Sequence, residues 1–185
     1  MKPSAKLYFI ALLPPVEVAE EVTEIKQSFA RNYNSRAALK SPPHVTLQPP
    51  FSWEIEEVET LKESLVEFTQ WQASIPLILS GFGAFPPRVI YVNVLKTPEL
   101  MQVQAALVKF LHQRFSSIAK QPSRHAFSPH MTVAFRDLKK RDFNHAWPKF
   151  KARSISHKFT VSELTLLAHD GRQWNLDTQF PFALQ

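Results

Sequence analysis

Ser128-Pro129-His130-Met131-Thr132-Val133 decides how this chain is read, because Pro42-Pro43-His44-Val45-Thr46-Leu47 is an earlier version of it. Each stretch carries a proline, a histidine, an apolar residue, a threonine and a second apolar residue, in that order. Side chains on a β-strand alternate between faces. His44 and Thr46 therefore share one face and Val45 and Leu47 the other, and His130, Met131, Thr132 and Val133 repeat the arrangement. The expectation is two strands, each anchored by an apolar pair and presenting a polar pair.

Working outward, Leu7 to Leu13 is a short apolar run suited to a buried strand, stopped by Pro14-Pro15. Val18, Val22, Ile25 and Phe29 recur at helical spacing, with Glu17, Glu20, Glu21 and Glu24 near the start. Residues 31–40 read as a loop. Pro42-Pro43 forces extended backbone into the first histidine strand, and Pro49-Pro50 is expected to close it. Val58, Leu61, Leu65 and Phe68 mark a second helix, followed by a strand from Ile75 to Leu79. The same order then restarts. Val89 to Leu95 reads as a strand, Thr97 as the N-cap of a helix carrying Leu100, Val103, Leu107 and Phe110, and the His130 strand follows. A short helix is expected near residues 139–148, and Phe159 to Ala168 and Gln173 to Phe180 as a closing hairpin turned at Asp170-Gly171. Each half thus runs strand, helix, histidine strand, helix, strand. The expectation is one bilobal domain over residues 1–185, with repeats at roughly 6–82 and 88–168 and a closing hairpin to 182. The fold class is α+β, internally duplicated about a pseudo-two-fold, with antiparallel-rich sheets flanking a central cleft and helices outside.

Composition narrows the functions available. The chain has 185 residues, 44% of them apolar and fifteen of them phenylalanine, which is enough to bury a sizeable core. It has no cysteine, which excludes disulfides and thiolate metal sites and fits a reducing compartment. With only Gly81, Gly83 and Gly171 it can build neither a Walker loop nor a dinucleotide-binding glycine fingerprint. The net charge is +6 and uneven: residues 1–92 carry eight Lys/Arg against ten Asp/Glu, and residues 93–185 carry fourteen against six. A basic half attracts polyanions, although a solvated basic surface has the same composition. Lys2 and Lys6 before Leu7–Leu13 have the outline of a secretion signal, but the run is short and ends in Pro14-Pro15. A cytoplasmic location is expected, with no membrane span.

A lone strand histidine is more often structural than catalytic. Two in the same local pattern, at equivalent places in a repeat, point to acid–base work. Imidazoles titrate near neutrality, so one can accept a proton while the other donates one. Threonine hydroxyls two residues along can donate to the non-bridging oxygens of a phosphate held between them. His112, His125, His145, His157 and His169 have no repeated partner and read as surface or structural. No metal site and no cofactor are expected, since neither motif offers three or four converging ligands.

With these residues the chain resembles the two-histidine (2H) phosphoesterases, including the bacterial 2'-5' RNA ligase / RNA 2',3'-cyclic phosphodiesterase group. The resemblance covers the opening strand ending in proline and the segment from Pro42 to Leu47. It extends to the Gly81-Phe82-Gly83-Ala84-Phe85-Pro86 loop and to Phe127 through Val133. It implies metal-independent opening of 2',3'-cyclic phosphates on RNA ends or nucleotides to 2'-phosphates, with 2'-5' joining through the same site. It further implies His130 as base, His44 as acid, and Thr46 and Thr132 as the grip on phosphate. Phe127, Tyr91 and Phe85 become candidates for stacking a base, and Arg88 and Arg124 for holding a flanking phosphate; core packing is the competing reading for the aromatics. Many members carry arginine five residues after the second histidine, where this chain has Phe135 and then Arg136. Regular strand parity would put Arg136 on the histidine side. Two other readings stand beside this one. The substrate is a small nucleotide such as ADP-ribose cyclic phosphate or 2'-5' oligoadenylate, or the chain is a non-catalytic RNA-binding module. A monomer is expected.

Overall fold

A computed structural model describes residues 4–119 and 126–183. The chain opens with β1 (Ala5–Leu12) and α1 (Val16–Tyr33), then a 3-10 turn (Ala37–Lys40), β2 (Val45–Glu54) and α2 (Val58–Thr69). β3 (Ile75–Phe85) and β4 (Val89–Val94) form a hairpin, followed by α3 (Pro98–Arg114) and the short α4 (Ser116–Ala119). β5 (His130–Ala134), α5 (Lys140–Ala152), β6 (Ser156–Val161), β7 (Glu163–His169) and β8 (Trp174–Pro181) complete it. The helices end where their sequence dictates. The Thr97 hydroxyl accepts from the backbone N–H of Leu100 at 3.4 Å, with Pro98 in the first turn. Helix α1 stops at Asn34, which takes the left-handed conformation at φ 51°.

The strands form two antiparallel four-stranded sheets, ordered β2-β1-β7-β8 and β5-β4-β3-β6. The two histidine strands, β2 and β5, are each the outermost strand of their sheet, and they approach one another. Sheet membership does not follow the repeat boundaries. β3, the last strand of the first repeat, pairs with β4 in the second sheet, because a short turn joins them and antiparallel neighbours pair locally. The expected closing strand Phe159–Ala168 is two strands. β6 pairs with β3 and β7 with β1, so the chain changes sheets at Ser162, whose carbonyl accepts from Phe182 N–H at 2.9 Å. Pro49-Pro50 does not end β2 as expected. The strand runs on to Glu54 past a register shift, with both prolines exposed on the free edge where no ladder bond is lost. The expected loop 31–40 is shorter, since α1 reaches Tyr33 and residues 37–40 form the 3-10 turn.

One continuous apolar core runs through both halves. Val18, Val22, Ile25 and Phe29 of α1, and Leu100, Val103, Leu107 and Leu111 of α3, are buried in it. Each contributes about 1.5–3 kcal/mol of apolar burial. The two helices also cross-link the sheets, since α1 lies against β5 and α3 against β2. Gln104 Nε2 on α3 donates to the Leu47 carbonyl at 3.3 Å. On the other side, Asp137, just past β5, accepts from Ser35 Oγ at 2.8 Å and from the N–H groups of Arg36 and Ala37 at 2.7 and 2.9 Å.

Asp137→Ala removes the acceptor of three bonds and leaves the buried Ser35 hydroxyl without it. The expected loss is about 1–3 kcal/mol, read as a lower urea midpoint at unchanged slope. A midpoint equal to wild type would show that the clamp contributes nothing.

Candidate active site

His44 lies immediately before β2, and His130 is the first residue of β5. The period-two reading of both stretches matches the burial. Val45, Leu47, Met131 and Val133 are at most 1% exposed, while His44, Thr46, His130 and Thr132 are only half-buried. Each histidine is oriented by the same local bond. His44 Nδ1 lies 2.7 Å from the Pro42 carbonyl, and His130 Nδ1 lies 2.6 Å from the Ser128 carbonyl. A carbonyl can only accept, so Nδ1 carries the proton in both neutral rings and Nε2 is left without one. In each motif a proline (Pro43, Pro129) stands between that carbonyl and the histidine.

Both rings are poor bases at rest. Burial lowers the His44 pKa to about 4; the bond to Pro42 opposes this, and the charges of Lys26 and His130 add to it. Burial also lowers His130, against the bond to Ser128. Both imidazoles are therefore neutral at pH 7, and an anion seated between them would favour the protonated form of each.

Aromatic rings set the orientation of both. His130 packs on Tyr91 at 5.0 Å and edge-on to Phe85 at 5.2 Å between ring centres. Tyr91 lies over Gly83, where a Cβ would stand 2.3 Å from its ring. His44 packs on Phe9 at 4.7 Å, Phe9 on Trp174 at 4.7 Å, and Trp174 on His169 at 4.8 Å. A cleft of about 800 Å³ runs along the free edge of β2 from Thr46 to Pro50 and reaches His130. Its other walls are Phe85, the segment Ala126–Ser128, and Gln104, Val108 and His112 of α3. Its lining is largely apolar with a few polar groups, the usual character of an organic ligand site. Among the described residues, no three metal-ligating side chains gather in one place, and no helix is long and apolar enough to cross a membrane.

Of the residues expected at the site, the structure places Thr46, His130, Phe85 and Phe127 on the cleft and Tyr91 against His130. Arg124 lies outside the described residues. Arg88 is exposed at the turn of the β3–β4 hairpin, beside Phe85. Arg136 does not follow strand parity. β5 ends at Ala134, and Arg136 takes a left-handed φ of 59°, exposed, with its guanidinium 5.1 Å over Phe135. His112, read as surface or structural, lines the cleft. His157 bonds to Glu21 at 2.6 Å, and His145 is exposed. Gln48, Gln104, Phe9, Trp174 and the buried Lys26 escaped the sequence reading. Gln48 alone carried a signal, since it continues the His44–Thr46 alternation by one step.

The family model described as the 2'-5' RNA ligase superfamily matches residues 14–173. A Bacillus licheniformis protein named "Putative phosphoesterase" is 29% identical over 177 residues, covering 94% of this chain and 96% of its own. A Geobacillus protein of the same description is 28% identical over 163 residues, covering 86% of each. Among solved structures, TT0787 of Thermus thermophilus shares the fold at a TM-score of 0.70 and 17% identity, over 97% of this chain and 99% of its own. E. coli LigT in apo form does so at 0.67 and 20%, over 99% and 100%. LigT solved with 3'-AMP does so at 0.65 and 22%, over 96% and 98%.

Gly83→Ala would push the Tyr91 ring off its seat, at a stability cost of about 1–3 kcal/mol. Loosened packing lets water reach His130, so its NMR titration midpoint is expected to rise toward 6.5 while that of His44 stays put. An unmoved His130 midpoint would show that Tyr91 does not govern its environment.

Proposed function

We propose that this chain, which belongs to the 2'-5' RNA ligase superfamily, is a metal-independent phosphodiesterase that opens 2',3'-cyclic phosphates of RNA ends or nucleotides to 2'-phosphates. The observation that carries the reading is the matched pair of imidazoles. Each has Nδ1 tied to the carbonyl two residues back and Nε2 left free, and each has a threonine on its own face. A phosphate between them meets a proton acceptor on one side and a donor on the other. Following the family's order, His130 Nε2 takes a proton from water as its oxygen attacks phosphorus. The P–O3' bond breaks, and His44 Nε2 delivers its proton to the departing 3' oxygen. Thr46 and Thr132 donate to the non-bridging oxygens, where charge builds in the transition state. A 5'-hydroxyl in place of water yields a 2'-5' linkage by the same displacement. The nucleoside occupies the cleft beside His130, with Phe85 and Phe127 as stacking surfaces for its base.

The resting electrostatics bear on the proton order. His44 is depressed to about 4, so of the two singly protonated forms the one with the proton on His130 dominates in the free protein. The form that the family order requires is the minor one, and its His44 is a correspondingly strong acid. The negative charge of the substrate favours protonation of both rings.

In EDTA, nucleoside 2',3'-cyclic monophosphates and a short RNA ending in a cyclic phosphate are expected to give a 2'-phosphate. His44→Ala and His130→Ala are each expected to reduce turnover by at least about a hundredfold. Undiminished activity in either variant would end the mechanism, and turnover of small nucleotides alone would move the substrate to that class. Binding of RNA that survives loss of both histidines, with no product at any stage, would make the chain a binding module.

The pH dependence has a definite sign. Only the singly protonated pair is active, so activity rises as the first proton leaves, chiefly from the more depressed His44, and falls as the second leaves, and both imidazoles titrate below the usual 6.5. The bell in kcat/KM is therefore expected on the acid side of 6.5, with the alkaline limb falling about tenfold per pH unit. An alkaline limb above pH 7 would contradict the burial of both rings.

A further inference from the structure

Lys26 is among the largest fully buried side chains in the protein, at 2% exposure, and the chemistry above makes no use of it. It sits on α1 one residue past Ile25, on the side of the helix that faces the segment entering β2. Its Nζ donates to the Ser41 carbonyl at 3.0 Å, and among the described residues no carboxylate pairs with it. Burial lowers its pKa to about 7. An ammonium sealed in this way is costly to fold, and an apolar side chain of similar length would fill the same space.

What Lys26 holds is the stretch that aims His44. Ser41 accepts from Lys26, the next carbonyl, that of Pro42, accepts from His44 Nδ1, and Pro43 between them is buried. The bond from helix to elbow and the bond from elbow to ring are thus on consecutive peptide units. His130 has the second bond, from Ser128, but the charge of a buried lysine acts on His44 and has no counterpart at His130. The charged and titratable groups on the elements packed around Lys26 are few. Lys40 on the 3-10 turn shares with it a pocket of about 270 Å³. His44 heads β2, His130 lies on β5, Asp137 is committed to the Ser35–Ala37 clamp, and His169, Asp170 and Arg172 lie at the β7–β8 turn.

We propose that Lys26 is a positioning residue for His44, fixing the Ser41–Pro43 elbow and making the first histidine of the pair chemically unlike the second. The proposal rests on reading the two histidines as an acid–base pair. It adds that their inequality is built in from α1, behind the site. A duplicated fold supplies two equivalent imidazoles, whereas a displacement at phosphorus needs an unequal pair, one proton-bearing and one proton-free. A positive charge behind one ring, present below about pH 7, makes that ring hold a proton more weakly and release it more readily.

The test is Lys26→Met, with Lys26→Gln as a second variant and Lys26→Arg as the conservative one. The imidazole midpoints of both histidines would be followed by NMR, together with the kcat/KM profile for a nucleoside 2',3'-cyclic monophosphate. Lys26 is charged throughout the range in which His44 titrates, so its removal is expected to raise the His44 midpoint by about half a pH unit or more. The His130 midpoint should stay where it is, the acid limb of kcat/KM should rise in step with His44, and Lys26→Arg should restore the low value. Stability gives an independent sign. The folded pKa of Lys26 lies below its unfolded value, so the unfolded chain binds more protons between about pH 7 and 10.5, and stability rises with pH across that window. Lys26→Met should therefore melt higher than wild type at pH 6, with the advantage fading toward pH 10. A His44 midpoint unmoved in both Met and Gln variants would overturn the proposal even if turnover fell. Undiminished activity of His44→Ala would sink the acid–base reading alone, and the NMR midpoints do not depend on turnover, so the two failures are distinguishable.

Discussion

A β-strand has two faces and this site needs both. The apolar side chains of β2 and β5 are locked into the core, so the alternate side chains have nowhere to go but the opposite face. A slip of one residue in either strand would bury an imidazole and expose a valine or methionine. The register that keeps Val45, Leu47, Met131 and Val133 inside is therefore what keeps His44, Thr46, His130 and Thr132 on the working side. The placement of the four polar side chains on one side of the site thus follows from core packing. Local contacts then orient the placed rings: the two Nδ1-to-carbonyl bonds, and the aromatic packing of Phe9 on His44 and of Tyr91 and Phe85 on His130.

Two such strands are useful only if their free edges face each other at a fixed distance. Neither sheet could enforce that alone, because the histidine strands are outermost and carry no ladder bonds to one another. The helices do it by crossing. α1 grips β5, α3 grips β2, and Gln104 and Asp137 each tie a helix or its exit to the opposite histidine strand. The two halves share one core, and separating them would open it. A cleft between edges is then left uncovered by the topology, and α3, packed against β2, adds a wall to it.

The sequence made the strands and helices legible wherever period and punctuation agreed. Thr97-Pro98 marked the start of α3, Pro42-Pro43 the approach to β2, and the two histidine motifs their own strands. It misled where punctuation was silent or overruled. No glycine or proline lies between Val161 and Glu163, yet the chain changes sheets there, because the decision belongs to which strand each segment pairs with. Pro49-Pro50 looked like a stop, but an outermost strand has a free side that tolerates proline. At the site, repeated residues were visible and unrepeated ones were not. His112 reaches the cleft only because α3 crosses to β2, and Lys26 is indistinguishable in sequence from any solvated helical lysine. Arg136 was misplaced because parity was extended past the end of the strand.

The exchange of strands between sheets also orders events in time. β3 to β6 form the second sheet from one unbroken stretch, residues 75–161, which can pair as it is made. The first sheet draws β1 and β2 from residues 5–54 and β7 and β8 from residues 163–181. During synthesis β1 has β2 on one side and an open edge on the other until the last two strands emerge. Pairing β1 with β7 closes a loop of more than 150 residues, from Ala11 to Thr165 at its shortest, the kind of non-local contact that slows folding. One histidine strand thus belongs to a sheet that can mature early and the other to a sheet that must wait. The nascent chain has half a site, and an unpaired β1 edge for chaperones to guard, until its closing strands arrive.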